Sequence, residues 1–168
     1  PEVVTSAEID ERLAPFYERT GAAPGLLESL AGISQRRQWP EGVSFMEAAA
    51  MAGEKAIASS GIDRSRIGLV VDSSVCRERL EPSSAVTVHD LLKLPSTCMN
   101  FDVSNACLGF LNGIQIAGSM IETGQIDYAL VVDGEGTRQI HESTIQKLLQ
   151  PDAEIGDLFE NFATLTLG

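Results

Sequence analysis

The sequence is poor in positive charge and in long apolar runs, and both shortages narrow the functions open to it. Its 168 residues carry 12 Lys and Arg against 24 Asp and Glu, which gives a net charge of −12. Binding to nucleic acid requires a basic surface, so this balance argues against a nucleic-acid partner. No run of about 18 uncharged apolar residues occurs, so we expect no membrane span. With 43% hydrophobic residues, the chain is still apolar enough to bury the core of one domain.

Cysteine and histidine are also scarce. The three cysteines, Cys76, Cys98 and Cys107, are odd in number and irregular in spacing, so they do not indicate a disulfide framework. The two histidines are His89 and His141, and with so few ligands of this kind we expect no zinc site. The sequence also lacks a basic start followed by an apolar stretch, which would mark a signal peptide. These features predict a cytoplasmic protein.

Three short segments have the near-continuous apolar pattern of strands in a sheet that is covered on both faces. They are residues 67–72, 98–103 and 128–133. Helical patterns separate them, at residues 83–92 and 106–122. Because strands and helices alternate along the chain, the sequence predicts an α/β fold with a largely parallel sheet.

The segments outside this alternation predict further helices. Ser44 opens a capping box, which predicts a helix over residues 44–60 that ends at Gly61. Ser6 is the predicted cap of another helix, over residues 6–17. The remaining predictions are a short helix at residues 26–30, an irregular stretch at residues 32–40, an acidic surface helix within residues 151–162 and the start of a strand at residues 163–168.

The helix predicted at residues 106–122 contains no charged residue before Glu122. A helix that is apolar on every side is expected to be buried on every side. Gly109, Gly113 and Gly118 each lower its helix propensity by roughly 1 kcal/mol relative to Ala. We therefore predict that these glycines let neighbouring backbone approach closely, and that the helix lies between two layers.

Cys107 is the cysteine with the strongest case for chemistry, because it lies in the first turn of this helix, directly after a predicted strand. Unpaired N–H groups and the positive end of the helix dipole favour a thiolate there, and they can also stabilise an oxyanion. The residues alone leave two interpretations open, a nucleophile or a small packing residue. Cys98 has the place of a strand residue in the core, and we assign no role to Cys76.

Residues 102–110 read Asp-Val-Ser-Asn-Ala-Cys-Leu-Gly-Phe and resemble the nucleophile motif of the thiolase superfamily, in its β-ketoacyl-acyl carrier protein synthase III branch. Residues 31–37, 67–74 and 128–135 agree with that branch in order and spacing, so the resemblance covers essentially the whole chain. Within the branch, the sequence is most similar to the thiolase of bacterial long-chain olefin biosynthesis. The resemblance implies the N-terminal half of the thiolase fold, a mostly parallel sheet with a buried central helix.

The same resemblance implies that residues 1–168 are one half of a condensing enzyme, without its C-terminal half and without its first strand. The chain begins with Pro1 rather than Met, which fits an excised or processed piece. In the family the other half supplies a catalytic His, an Asn and an oxyanion-hole Gly, and neither His89 nor His141 matches the motif of that His. We therefore expect these residues alone to lack a complete acid–base apparatus and to show no condensing activity.

The olefin-type enzymes join two fatty acyl-CoA thioesters in a Claisen condensation that gives a β-ketoacyl product. The resemblance implies that Cys107 accepts the first acyl group as a thioester. It also implies that Glu81 reaches into the partner subunit's site and deprotonates the second acyl chain. Without the resemblance, Glu81 is an ordinary solvated loop carboxylate. The resemblance further implies a cytoplasmic homodimer that uses acyl-CoA, with acyl carrier protein as a further partner, and that needs no metal or redox cofactor.

Three alternatives remain open. A synthase III of fatty-acid initiation would condense acyl-CoA with malonyl-acyl carrier protein. Such enzymes are apolar at the place of Glu81, however, and carry Trp and Arg near the places of Leu26 and Leu30. A catalytically incomplete half would only bind a partner. A cysteine hydrolase would pair a cysteine with one of the two histidines, for which no recognisable motif is present.

Overall fold

The computed structural model describes residues 1–167, and the chain forms two compact units. One unit combines Pro1–Glu41 with the segment from Gly136 onward, and the other is Gly42–Glu135. A 3₁₀ turn, Ala106–Leu108, directly precedes one of the helices. The strands and helices, in chain order, are β1 (Glu2–Thr5), α1 (Ser6–Arg12), α2 (Ala14–Thr20), α3 (Leu26–Ala31), β2 (Gln35–Gln38), α4 (Phe45–Ser60), β3 (Ile67–Asp72), α5 (Ser84–Leu91), β4 (Met99–Asp102), α6 (Gly109–Glu122), β5 (Tyr128–Val132), α7 (Thr137–Leu148), α8 (Ile155–Glu160) and α9 (Phe162–Thr166).

The unit Gly42–Glu135 is built on a parallel sheet with the strand order β4-β3-β5. These strands lie where the apolar segments predict them, so the predicted α/β architecture with a parallel sheet is confirmed. Apolar side chains on one face of the sheet pack against α4 and α5. Those on the other face pack against α6. Helices therefore cover both faces, as near-continuous apolar strands require.

Helix α4 begins and ends as predicted. The Ser44 hydroxyl accepts the N–H of Glu47 at 3.2 Å, and the Glu47 carboxylate accepts the N–H of Ser44 at 3.0 Å. Gly61 follows the last turn with a φ of +68°, a left-handed conformation that favours glycine. Helix α5 also lies at its predicted place, with Ser83 directly before its first residue.

Within residues 1–167, one side of helix α6 packs against the sheet, which is one of the two layers predicted around it. Small residues at four-residue spacing, Gly109, Gly113 and Ala117, are buried against the sheet. A Cβ at Gly113 would lie 2.9 Å from Cγ1 of Val131. Gly118 has open space where its Cβ would be, so close packing does not explain that glycine. Large apolar residues fall on the opposite side of α6 and its preceding turn and are exposed: Leu108, Phe110, Leu111, Ile114 and Ile121.

Strands β1 and β2 form an antiparallel pair in the other unit, so the prediction of an irregular stretch at residues 32–40 is wrong. The strand β2 reads Gln-Arg-Arg-Gln, and its burial alternates, with Arg36 and Gln38 buried. The Arg36 Nη2 donates to Oγ of Ser6 at 2.9 Å. The Gln38 Nε2 lies 2.5 Å from Nδ1 of His141. The buried positions of this strand are thus occupied by polar side chains, whereas a strand is usually predicted from apolar residues at its buried positions.

The helix predicted at residues 6–17 is divided into α1 and α2. Pro15 lies in the first turn of α2, where its fixed φ suits a helix start, and it cannot donate the hydrogen bond that a continuous helix would need. Thr5, rather than the predicted Ser6, caps α1, and its Oγ1 accepts the N–H of Glu8 at 3.1 Å. The predicted apolar face is confirmed, and its buried members are Ile9, Leu13 and Phe16.

The segment after Gly136 is helical. The sequence pattern predicts α8 and the earlier α3, but it does not predict α7. The strand predicted at residues 163–168 is wrong, because α9 occupies most of it and turns Leu165 into the core, while Gly168 lies outside the described residues. No helix within residues 1–167 is both long and apolar enough to cross a membrane. The core of this unit gathers Ile9, Leu13, Phe16, Tyr17, Leu27, Ile145, Leu148, Ala153, Leu158 and Leu165.

Candidate active site

Polar residues follow the strands of the parallel sheet at their carboxyl ends, where open α/β sheets usually bind ligands. Asp72 ends β3, Asp102 ends β4 and Asp133 follows β5. The chain then runs from β4 to Cys107, which lies in the 3₁₀ turn before α6. This edge of the sheet therefore collects the residue types from which a catalytic site could be made.

Cys107 is exposed in the middle of the 3₁₀ turn. Ala106, directly before it, has a φ of +44°, in the left-handed region that non-glycine residues seldom adopt. Such backbone strain costs about 1–3 kcal/mol and is concentrated at functional sites. Exposure and strain both favour the interpretation of Cys107 as a nucleophile over that of a packing residue.

Gly109 allows the Cys107 turn to lie against the strand ends. A Cβ at Gly109 would lie 3.0 Å from the carbonyl oxygen of Ser73 and 3.3 Å from that of Val103. Both carbonyls are backbone groups directly after β3 and β4, so they could not yield to a side chain without moving the strand ends. The turn is also tied to α6, because Nδ2 of Asn105 donates to Oδ1 of Asn112 at 2.7 Å.

The other two cysteines have different surroundings. Cys98 is 4% exposed and packs in the apolar cluster beneath α4 and α5, which agrees with its predicted place in the core. Burial raises the pKa of the Cys98 thiol. Cys76 is half-buried after β3, and its backbone N–H donates to Oε2 of Glu135 at 3.0 Å.

Glu81 lies in an irregular segment, residues 73–83, that connects β3 to α5 and is called the Glu81 loop below. Its neighbour Leu80 is 89% exposed, and Glu81 is exposed as well. In the part of the chain that the structure describes, the Glu81 carboxylate forms no hydrogen bond or ion pair. The structure therefore does not join Glu81 to Cys107 by a hydrogen bond within one chain. It presents Glu81 at the surface, where a second subunit could meet it.

The Glu135 carboxylate holds the first part of the Glu81 loop. Its Oε1 accepts the N–H of Val75 at 2.6 Å, and its Oε2 accepts the N–H of Cys76 at 3.0 Å. Hydrogen bonds to an ionised carboxylate are roughly twice as strong as those between neutral groups. The sequence does not reveal this role of Glu135. The one local feature that points to it is its place as an acidic residue shortly after a buried strand.

The Asp102 carboxylate holds the far end of the same loop. It accepts the N–H of Ser84 at 2.9 Å and that of Ala85 at 2.8 Å, the first two residues of α5. It also forms an ion pair with Arg77, inside the loop. Asp102 thus connects the strand that leads to Cys107 with the loop that carries Glu81.

Asp133 and Glu135 lie close enough to share a proton. Partial burial, the charge of Glu135 and the charge of Asp72 together raise the pKa of Asp133 to about 6, although part of its surface remains in water. Burial alone would raise the pKa of Glu135, but hydrogen bonds from Cys76 and Val75 outweigh burial and lower it. As the pH falls, Asp133 therefore takes up a proton before Glu135, which stays ionised as the acceptor for the loop.

The carboxylates at this edge accept backbone and side-chain hydrogen bonds of the protein. The Asp72 Oδ1 accepts the N–H of Ser74 at 3.0 Å, and Oγ of Ser74 in turn accepts the N–H of Gly134 at 2.8 Å. Among residues 1–167, no three His, Cys, Asp or Glu side chains are grouped so that they could hold a metal ion.

The two histidines occupy structural positions. His89 lies on α5, and its Nε2 is 3.1 Å from the carbonyl oxygen of Pro95. His141 is 1% exposed on α7. Burial and the nearby charge of Arg36 lower the pKa of His141 to about 4, so its imidazole is neutral near pH 7. Both side chains therefore have partners within the fold, His89 at Pro95 and His141 at Gln38.

Comparison with known proteins shows what this chain is similar to. Residues 101–147 match the family of 3-oxoacyl-[acyl-carrier-protein] synthase III. The whole chain is 45% identical to an acyl-CoA:acyl-CoA alkyltransferase of Xanthomonas campestris, of which it covers 50%. A crystal structure of OleA from the same species superposes with a TM-score of 0.95 at 45% identity, over 100% of this chain and 50% of that one. The chain is therefore similar to the synthase III family over residues 101–147 and to the alkyltransferase over its whole length. Its fold is that of half of the thiolase-fold enzyme OleA.

The chain spans about half the length of the curated relatives it matches. A β-ketoacyl-[acyl-carrier-protein] synthase III of Rhizorhabdus wittichii is 36% identical over 104 residues, which are 62% of this chain and 32% of that protein. The resemblance predicted from the Cys107 motif is therefore confirmed as a similarity to these proteins. The similarity to the alkyltransferase is both higher and more extended than the similarity to this synthase.

The segment that matches the synthase III family includes Cys107 and Glu135. Glu81 lies outside that segment, although the full-length similarity to the alkyltransferase spans it. The catalytic roles of Cys107 and Glu81 stay predictions that rest on their motifs and on the geometry described above.

Proposed function

We propose that the full-length protein condenses two fatty acyl-CoA thioesters through an acyl-enzyme on Cys107. The observation that carries the proposal is the position of Cys107, exposed on a strained turn at the carboxyl edge of the sheet, within a segment that matches the synthase III family. The relative named acyl-CoA:acyl-CoA alkyltransferase supports the choice of two acyl-CoA substrates, because it is similar over the whole of this chain.

The first step transfers an acyl group to the enzyme. The Cys107 sulfur attacks the thioester carbonyl of one acyl-CoA, the carbon–sulfur bond to CoA breaks, and CoA leaves with the thiol proton. Backbone N–H groups at a helix start are generally unpaired, and such groups would stabilise the oxyanion that forms during the attack.

The second step joins the two acyl chains. Glu81, supplied by the second subunit, takes a proton from the α-carbon of another acyl-CoA. The carbanion attacks the Cys107 thioester, a carbon–carbon bond forms, the bond to the Cys107 sulfur breaks, and the proton returns to that sulfur. The products are a 2-alkyl-3-ketoacyl-CoA and the free enzyme.

The proposal includes a homodimer, because the second step takes Glu81 from a second subunit, and Glu81 is exposed and without a hydrogen-bond partner within residues 1–167. It also places this homodimer in the cytoplasm. It requires no metal ion and no redox cofactor, since both steps exchange only acyl groups and protons. A synthase III that uses malonyl-acyl carrier protein is the second candidate, and the similarity to the Rhizorhabdus synthase supports it. Decarboxylation would replace deprotonation in that enzyme, so it would not need Glu81.

The two candidates are separated by their products. We would supply the purified full-length protein either with fatty acyl-CoA alone or with acyl-CoA and malonyl-acyl carrier protein, and follow the products by mass spectrometry. The proposal expects a 2-alkyl-3-ketoacyl product and free CoA from acyl-CoA alone, without release of CO₂. If product and CO₂ form only when malonyl-acyl carrier protein is present, the second candidate is correct instead.

A further inference from the structure

The Glu81 loop contains no helix or strand, so its backbone depends on other groups for hydrogen bonds. Glu135 supplies two of them, and it places one carboxylate oxygen on each of two consecutive N–H groups, those of Val75 and Cys76. This arrangement fixes both the position and the orientation of the chain where it leaves β3.

The tip of the loop has fewer restraints than its ends. Within it, the Arg79 side chain contacts the Pro82 carbonyl oxygen at 3.3 Å and the Thr87 hydroxyl. Glu81 lies between these contacts and projects into solvent. The place of its carboxylate is therefore determined by the loop backbone, and that backbone is held at its ends.

Glu135 differs from Asp102 in what else it supports. Asp102 binds the first N–H groups of α5, so its loss would also weaken that helix. The contacts of Glu135 are with the loop and with Asp133. A change at Glu135 therefore tests the position of the loop with little effect on neighbouring elements.

We infer that Glu135 is a positioning residue for the condensation step, which acts by fixing the backbone of the loop that carries Glu81. The inference rests on the proposed function, in which Glu81 is the base. A base must lie within about 2.6–3.2 Å of the atom that carries the proton it removes, and a misplacement of about 1 Å can cost roughly 100-fold in rate. Glu135 touches neither acyl group in this account, so acylation of Cys107 should not depend on it.

The test is Glu135→Gln in the full-length protein. Glutamine keeps the shape of the side chain, but its NH₂ group cannot accept a hydrogen bond, so one of the two loop contacts is lost. We expect condensation of two acyl-CoAs to slow by about 10-fold, which is part of the loss that misplacement can cause. The rate of Cys107 acylation, measured by intact mass after rapid mixing, should stay unchanged. Glu122→Gln, at the exposed end of α6, is the matched control and should affect neither rate.

A double-mutant cycle with Glu81→Ala shows whether Glu135 acts through Glu81 or affects the rate independently of it. If Glu135 acts through Glu81, then Glu135→Gln should slow the wild-type protein but have no further effect in the Glu81→Ala background. An equal loss in both backgrounds, a normal rate for Glu135→Gln, or slowed acylation would each overturn the inference. If the glutamine variant does not fold, Glu135→Asp is measured in the same cycle, because its shorter side chain cannot reach both N–H groups.

The same cycle distinguishes this inference from the proposed function. If Glu81→Ala condenses acyl-CoA at the wild-type rate, Glu81 is not the base, so the inference and the assigned base of the second step are both wrong, while the condensing activity itself stands. If Glu81→Ala is slow while Glu135→Gln is normal, the proposed function stands and only the positioning role of Glu135 is wrong.

Discussion

Each cysteine has distinct surroundings, and at the scale of the residue this predicts which of them reacts first. Cys107 is exposed on a strained turn, whereas Cys98 is buried with a raised thiol pKa, which lowers its thiolate fraction near neutral pH. Brief treatment of the full-length protein with an alkylating reagent should therefore label Cys107 first, as measured by peptide mapping. The Cys107→Ser variant should keep the fold and lose acyl transfer. Faster labelling of Cys76 or Cys98 would show that the nucleophile is misassigned.

The raised pKa of Asp133 predicts how stability depends on pH. Its pKa of about 6 in the folded chain exceeds the usual value of about 4 for an unfolded Asp, so the folded state binds this proton more tightly. Stability from this group is therefore present at low pH and is lost as the pH rises from about 4 through 6.

Asp133→Asn should accordingly raise the urea midpoint near pH 7.5 and have a much smaller effect near pH 3, because both the folded and the unfolded chain then hold most of the proton. Asp152→Asn, on an exposed turn of the other unit, removes the same formal charge and serves as the control. An equal shift of the Asp133→Asn midpoint at both pH values would contradict the assignment of the proton to Asp133.

At the scale of the element, two glycines of α6 lie in different surroundings and predict opposite effects of the same substitution. Gly118→Ala adds a methyl group in open space and should stabilise the chain by about 0.5–1 kcal/mol through helix propensity. Gly113→Ala places its methyl group 2.9 Å from Val131, and crowding of this kind costs about 1–3 kcal/mol, so it should be destabilising or neutral. Urea unfolding of the two variants measures the difference. A Gly113→Ala variant as stable as Gly118→Ala would show that α6 does not pack this closely on the sheet.

Elements were predictable from sequence where apolar pattern and burial coincide. The strands β3 and β5 are apolar almost throughout, and the capping box at Ser44 marks the start of α4. Strand β2 could not be predicted because its buried side chains are Arg36 and Gln38, whose hydrogen-bond partners lie on distant segments. Helix α9 could not be predicted because Leu165 packs in a core whose other members lie far away in the sequence.

The residues of the candidate site also differ in whether the local sequence predicts their role. Cys107 could be found because its motif is local and its place after a strand is visible in the sequence. The roles of Glu135 and Asp102 could not, because a carboxylate does not reveal which N–H groups it will accept. The contact of Glu135 with Val75 joins residues separated by 60 positions, and only the folding of β3 beside β5 brings them together.

At the scale of the whole molecule, the exposed apolar side of α6 predicts how the 168-residue chain behaves alone. Leu111 and Ile114 are 60% and 48% exposed, and they belong to a continuous row of large apolar residues. Such surface is uncommon on monomeric proteins and promotes association. The purified chain should therefore self-associate as its concentration rises, as measured by light scattering after size exclusion.

Leu111→Lys combined with Ile114→Lys should reduce this association, because charged side chains on α6 resist removal from water. The helical circular dichroism should stay unchanged, since both positions face solvent. Val86→Lys, at an exposed apolar position on α5, is the matched control and should associate as the unmodified chain does. A chain that stays monomeric, or a double variant that associates as strongly as the original, would mean that the α6 surface is not what brings the molecules together.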